Sequence, residues 1–210
     1  MNISDYFILE KDDFDKKLTL ARTTFDNLLI KYENLDPEFA KAEKENNQQL
    51  YTTLTENYEA QNNLKKNTAK GSPSPEFNNY ENVQGGTNSL SDFKGKYVYI
   101  DVWATWCGPC KQQIPFLQSL EEEYHDKNIE FVSISIDQPN LKDTWKNMIS
   151  NKNMSGVQLF ANGDQSFASA YQISGIPRFI LIDPKGNIVE ANAPRPSDKN
   201  LTTLFNGLGL

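Results

Sequence analysis

Residues Tyr97 to Pro115 read YVYIDVWATWCGPCKQQIP, and this stretch decides the fold. Tyr97–Val102 is an apolar run rich in aromatic and β-branched types, as a buried strand requires. Trp103-Ala104-Thr105-Trp106 follows and delivers Cys107-Gly108-Pro109-Cys110 to the start of a helical pattern. The chain has two cysteines, and both fall in these four residues.

Two sulfurs three residues apart in the first turn of a helix can meet, so the pair can close a small disulfide and reopen it. A helix start also presents unpaired N–H groups and the positive end of the dipole, which favour a thiolate on Cys107. Thiolate is the attacking species in thiol–disulfide exchange, and a second nearby thiol resolves the mixed disulfide. Cys107 is therefore read as the exposed nucleophile and Cys110 as the resolving thiol. Pro109 sits where a helix tolerates proline, and Gly108 keeps the approach to Cys107 open. Two other readings of the pair stand beside this one. Half of a zinc site would need further ligands, and His125 is the one other soft ligand in the chain. A structural disulfide with so short a loop would constrain the unfolded chain little. No metal and no cofactor are expected.

Working outward, residues 10–35 carry a stripe of Phe14, Leu18, Ala21, Phe25, Leu28, Tyr32 and Leu35 at alternating spacings of four and three. That places them on one helix face. Asp36-Pro37-Glu38 reads as a stop and a fresh N-cap, and a second, more polar helix is predicted to about Lys66. Its weaker apolar side holds Phe39, Ala42, Leu50, Leu54 and Tyr58. The two form an antiparallel helical hairpin, packing on itself or on the main domain, or serving as a dimerisation element. Asn67 to Pro75 reads as a linker and Phe77 to Leu90 as turn-rich. Past the cysteines, strands are predicted at Ile129–Ile136, Val157–Phe160, Phe179–Ile182 and Ile188–Val189. Helices are predicted at Asn140–Ile149, Gln165–Tyr171 and Asp198–Asn206. Alternating strands and helices imply an α/β sheet covered on both faces.

The net charge of −7 and pI near 4.8 argue against nucleic acid and against an anionic membrane surface. No run approaches the roughly 18 apolar residues of a membrane span. The opening MNISDYFILEKDD has neither the basic start nor the apolar core of a signal peptide. Either an export signal lies outside this sequence or the protein is cytosolic, and a catalytic cysteine pair suits both compartments.

WATWCGPC, Pro115 five residues past Cys110 and the acidic Asp101 in the preceding strand together resemble the thioredoxin superfamily. Pro75-Glu76-Phe77, Leu90–Lys96 and the βαβ block after the cysteine helix are similar to the TlpA/ResA-like branch of envelope thiol–disulfide oxidoreductases. The resemblance runs from about Gly71 to the C-terminus. The first 70 residues lie outside it, and their apolar periodicity gives a helical region over 1–68; over 69–210 the resemblance implies a thioredoxin-like domain with a central mixed sheet and a βαβ insertion. It also implies exchange with protein disulfides, most readily as a reductant, an upstream redox partner, and a place in the periplasm or cell envelope, with the cytoplasm as the alternative. The rival activities are a disulfide isomerase or oxidase, a peroxiredoxin-like peroxidase, and a non-enzymatic metal- or partner-binding module.

Secondary residues follow from the same comparison. Ile176-Pro177 resembles the family's cis-proline loop, whose backbone pairs with the bound substrate chain. Trp106 belongs to the apolar rim that meets a partner together with Gly108 and Pro109, while Trp103 is expected in the core. Asp101 shares a strand face with Tyr99 and Trp103, and a buried carboxyl of raised pKa suits a proton acceptor for Cys110. Gln113 departs from the pattern, because ResA-like proteins carry a glutamate there, and Arg178 stands where the family often has threonine. His125 is read as a solvated surface residue and Asp137 as a helix cap or turn former.

Overall fold

In the computed structural model, residues 7–32 and 34–210 are described, and the chain divides into two units, one ending at Lys65 and the other spanning Lys66–Leu210. The first holds α1 (Lys11–Lys31) and most of α2 (Pro37–Asn67). Asp36 starts α2 as its sequence position suggests, its Oδ1 accepting the Phe39 N–H at 3.0 Å. Phe14 stacks on Tyr58 with ring centroids 3.8 Å apart, the Tyr58 hydroxyl donates to the Leu9 carbonyl, and Arg22 donates to Gln48. These pairings run in opposite directions along the chain, so the helices are antiparallel. Of the α1 stripe Phe14 is fully buried, Leu18, Ala21, Phe25 and Leu35 are half-buried, and Leu28 and Tyr32 are exposed.

The second unit carries a mixed sheet in the order β2-β1-β5-β4-β3-β6-β7. Its strands are β1 (Tyr80–Asn82), β2 (Thr87–Asn88), β3 (Tyr97–Trp103), β4 (Ile129–Ser135), β5 (Val157–Phe160), β6 (Arg178–Ile182) and β7 (Ile188–Glu190). β3, β4 and β5 are parallel, while β6 runs antiparallel to β3. Helices α3 (Gly108–Glu123), α4 (Lys142–Asn151), α5 (Ser166–Ala170) and α6 (Lys199–Gly207) complete the unit. β3 is central, so both of its faces are apolar. Val98, Ile100 and Val102 pack with Phe77, Phe167 and Tyr171, whereas Tyr99 packs with Leu117 and Leu120 of α3 and Phe205 of α6. The thioredoxin-like fold with its β4–α4–β5 insertion and two preceding helices is the one the sequence predicts.

Two segments differ from expectation. Phe77–Leu90 is not merely turns: β1 and β2 form a small hairpin whose first strand pairs with β5. Gly85 and Gly86 close it at φ of 104° and 72°, which side chains with a Cβ rarely adopt. Residues 71–74, read as linker, instead lie along 186–188 as an antiparallel bridge. Gly71 N–H bonds Ile188 O at 2.7 Å, and Ser74 N–H bonds Gly186 O at 2.9 Å. Pro73 and Pro75 carry no N–H, and an edge position demands none of them.

Candidate active site

β3 ends at Trp103, and four residues later Cys107 caps α3 with extended backbone angles (φ −79°, ψ 103°). Cys107 and Cys110 are joined as a disulfide with Cα atoms 5.3 Å apart. The Cys110 N–H points at the Cys107 sulfur at 3.1 Å, so a first-turn donor that α3 cannot use internally serves that sulfur. Pro109 sits in the first turn, and an added Cβ at Gly108 would meet nothing within 4 Å. Gly108 and Pro109 leave the side of the pair that they form open to solvent.

Cys107 itself is not exposed as expected. It is 4% accessible in the disulfide form, covered by the loop carrying Ile176, whose carbonyl oxygen is 3.7 Å from Cys107 Sγ. In this disulfide form Cys107 belongs to the buried cluster of Trp103, Cys110, Trp145 and Phe160. The Ile176–Pro177 bond is cis, so the structure brings this loop and the cysteines together. Trp106 is 61% exposed beside them, while Trp103 is buried. Arg178 is directed away, its guanidinium donating to Ala191 O at 3.2 Å.

Asp101 lies on the α3-facing side of β3, between Tyr99 and Trp103 and paired across the sheet with Ser133 and Phe179. It is 5% exposed, and its Oδ1 has no hydrogen-bond partner. Burial, helped by the charge of Glu121, pushes its pKa up to about 8. Burial likewise raises Glu121, against a bond from Ser155. Gln113 is buried and its Oε1 accepts the Ser197 N–H at 3.2 Å, tying α3 to the loop before α6. The amide at this position is structural.

Asp137 corrects the sequence reading most clearly. It caps no helix; it is a fully buried carboxylate that fastens the active-site loop. Oδ2 accepts from Thr105 N–H at 3.0 Å and from the Ser135 hydroxyl at 2.7 Å, and Oδ1 accepts from the Thr105 hydroxyl at 2.9 Å. Lys111 closes the same loop from the other side through Thr105 O. The signal missed was Thr105 itself, a hydroxyl amid apolar neighbours two residues before Cys107. His125 is exposed, facing Glu122 O and Asp126. Among the described residues, no cluster of three or more His, Cys, Asp or Glu is placed to hold a metal.

A cysteine pair capping the helix after a central parallel strand, under a cis-proline loop, defines the thioredoxin-like thiol–disulfide oxidoreductases. Comparison with known proteins agrees. The family described as Redoxin matches residues 69–205, and the chain belongs to it. It is 29% identical to the thiol-disulfide oxidoreductase ResA of Bacillus subtilis over 60% of this chain and 68% of that one. With the ResA of Oceanobacillus iheyensis it shares 36% identity over 52% and 56% of the two chains. The chain thus spans from just over half to about two thirds of the length of these relatives. Among solved structures, one assigned as a thiol-disulfide oxidoreductase from Bacteroides vulgatus superimposes with a TM-score of 0.61. That match is at 38% identity and covers 67% of this chain and 97% of the other.

Proposed function

We propose that this protein reduces disulfide bonds in other proteins of the cell envelope, Cys107 attacking and Cys110 resolving. The observation that carries the reading is the Cys107 sulfur seated at the N-cap of α3, with the Cys110 N–H aimed at it at 3.1 Å. In the dithiol form that donor favours negative charge on Cys107. The Cys107 thiolate attacks a partner disulfide, forming a mixed disulfide and releasing one partner thiolate. Cys110 then gives its proton to the ionised form of Asp101, a minority below about pH 8, and attacks Cys107 Sγ, which frees the second partner thiolate and closes the Cys107–Cys110 bond. Two electrons pass to the partner, and the released thiolates take up protons. Asp101 suits the acceptor role because its unpartnered Oδ1 is buried on the same strand face as Trp103, which packs with the cysteines.

Trp106, Gly108 and Pro109 form the open side of the site, and the Ile176 carbonyl offers a backbone edge beside the reacting sulfur. A partner segment pairing there as an added strand would bring its disulfide to Cys107. The Gly-Pro pair between the cysteines resembles that of reducing thioredoxins, which favours reduction over oxidation. Envelope placement rests on the resemblance to the TlpA/ResA-like branch; among the described residues no helix is long and apolar enough to cross a membrane. The test is insulin reduction by the dithiol form, together with trapping by Cys110→Ser. The expected result is insulin reduction by the wild type and a stable mixed disulfide through Cys107 in the variant. No insulin reduction, or trapping through the other cysteine in Cys107→Ser alone, would overturn the assignment.

A further inference from the structure

From Lys66 onward, two large apolar side chains among the described residues are exposed: Trp106 at 61% and Phe116 at 49%. Isolated apolar residues on a surface are ordinary, but these two are not scattered. Trp106 immediately precedes the cysteine that caps α3, and Phe116 lies two turns along that helix. Pro109, Gln113 and Phe116 fall at helical spacings of four and three, so they share one stripe. Pro109 and Phe116 are exposed on it, and Gln113 beneath them is held by Ser197.

The stripe is also uncharged. Between Trp106 and Leu120 the sequence carries one formal charge, Lys111, in a protein of net charge −7. Its ammonium is bonded to Thr105 O. The exposed Pro109 and Phe116 thus lie on a strip of α3 that carries no charge of its own and begins beside the reactive disulfide, while the acidic residues Glu121, Glu122 and Glu123 come only after it. A polypeptide whose disulfide reaches Cys107 must pass over the open side of the site, where this strip begins.

We propose that Phe116 is a second anchor for the partner polypeptide, holding an apolar side chain that lies three or four residues from the partner's reactive cysteine. This rests on the reading that the substrates are protein disulfides. The spacing follows from geometry: the nine residues from Cys107 at the cap of α3 to Phe116 rise about 13 Å. An extended partner covers that distance in about four residues. The partner so selected is an extended segment with an aliphatic or aromatic residue near its disulfide, as found in incompletely folded proteins.

The test uses the full chain in its dithiol form, mixed in single turnover with insulin or with hydroxyethyl disulfide and followed by tryptophan fluorescence. Phe116→Ser is expected to lower the ratio of the insulin rate constant to the hydroxyethyl disulfide rate constant about five- to tenfold, the range of an interfacial anchor. Phe116→Leu is expected to restore most of it. Wild-type protein is also compared on two synthetic peptide disulfides that differ by Leu or Ser four residues from the cysteine. It is expected to prefer the Leu peptide several-fold, and this comparison needs no variant to fold. A wild-type ratio in Phe116→Ser, or equal rates on the two peptides, would overturn the anchor while leaving the oxidoreductase reading intact. Wild-type protein that reduces hydroxyethyl disulfide but not insulin would overturn the reading beneath it.

Discussion

Replacing Asp101 by asparagine should make the protein more stable at neutral pH. The folded carboxyl titrates at about 8, against 3.8 in an open chain, mainly because burial strips its water. A raised acid pKa means that the folded state keeps its proton while the unfolded state loses it. The resulting penalty is absent below about pH 4, grows by about 1.4 kcal/mol per unit as pH rises, and levels off above pH 8. At pH 7 the full linkage amounts to about 4 kcal/mol. Asn has no proton to withhold and nearly the same shape, so Asp101→Asn should recover about 2 to 4 kcal/mol at pH 7. Urea unfolding of the oxidised protein at pH 4, 5.5, 7 and 8.5 measures this directly, with the denaturant slope checked to be unchanged. A gain that is absent at pH 7, or that does not shrink toward pH 4, would refute the burial argument. The same substitution should shift the pH profile of Cys110 reactivity; an unshifted profile would remove Asp101 as its proton acceptor.

Two further outcomes follow from named contacts. Asp137→Ala strands the Thr105 N–H and two hydroxyls in the interior, so it should destabilise the oxidised protein by about 3 kcal/mol or more. Insulin reduction should slow as well, read at a temperature where the variant is fully folded; wild-type values for both would show that the loop holds itself. Phe14→Ala removes half of the stacked pair that forms the buried centre of α1 and α2, at a cost of about 3 to 5 kcal/mol. Helical ellipticity should fall while the disulfide stays reducible by dithiothreitol, and unchanged ellipticity would mean that the pair is held elsewhere.

Much of this arrangement was legible in the sequence because its signals are local. The strand at Tyr97, the helix start at Cys107 and the alternation that turns Asp101 inward are each decided within a few residues. What was misread depends on partners distant in sequence. Asp137 is tied to the cysteine loop through Thr105, 32 residues earlier, and so passes for a turn residue beside its own strand. Cys107 is covered by Ile176, 69 residues away, which no reading of the cysteine motif can supply. β1 and β2 carry Asn82 and Asn88 and are joined through two glycines; the pairing of β1 with β5 and the burial of Phe77 and Tyr80 make them strands, against local propensity.

The central claim is that the Cys107–Cys110 pair works as a reductant, and its reduction potential tests that most directly. Equilibration with glutathione or dithiothreitol, read by the fluorescence of Trp103 and Trp106, gives the value. The account predicts a potential near the thioredoxin end of the known range, about −270 mV. A potential near that of a strong periplasmic oxidant, about −120 mV, would contradict it and reverse the direction in which the electrons move.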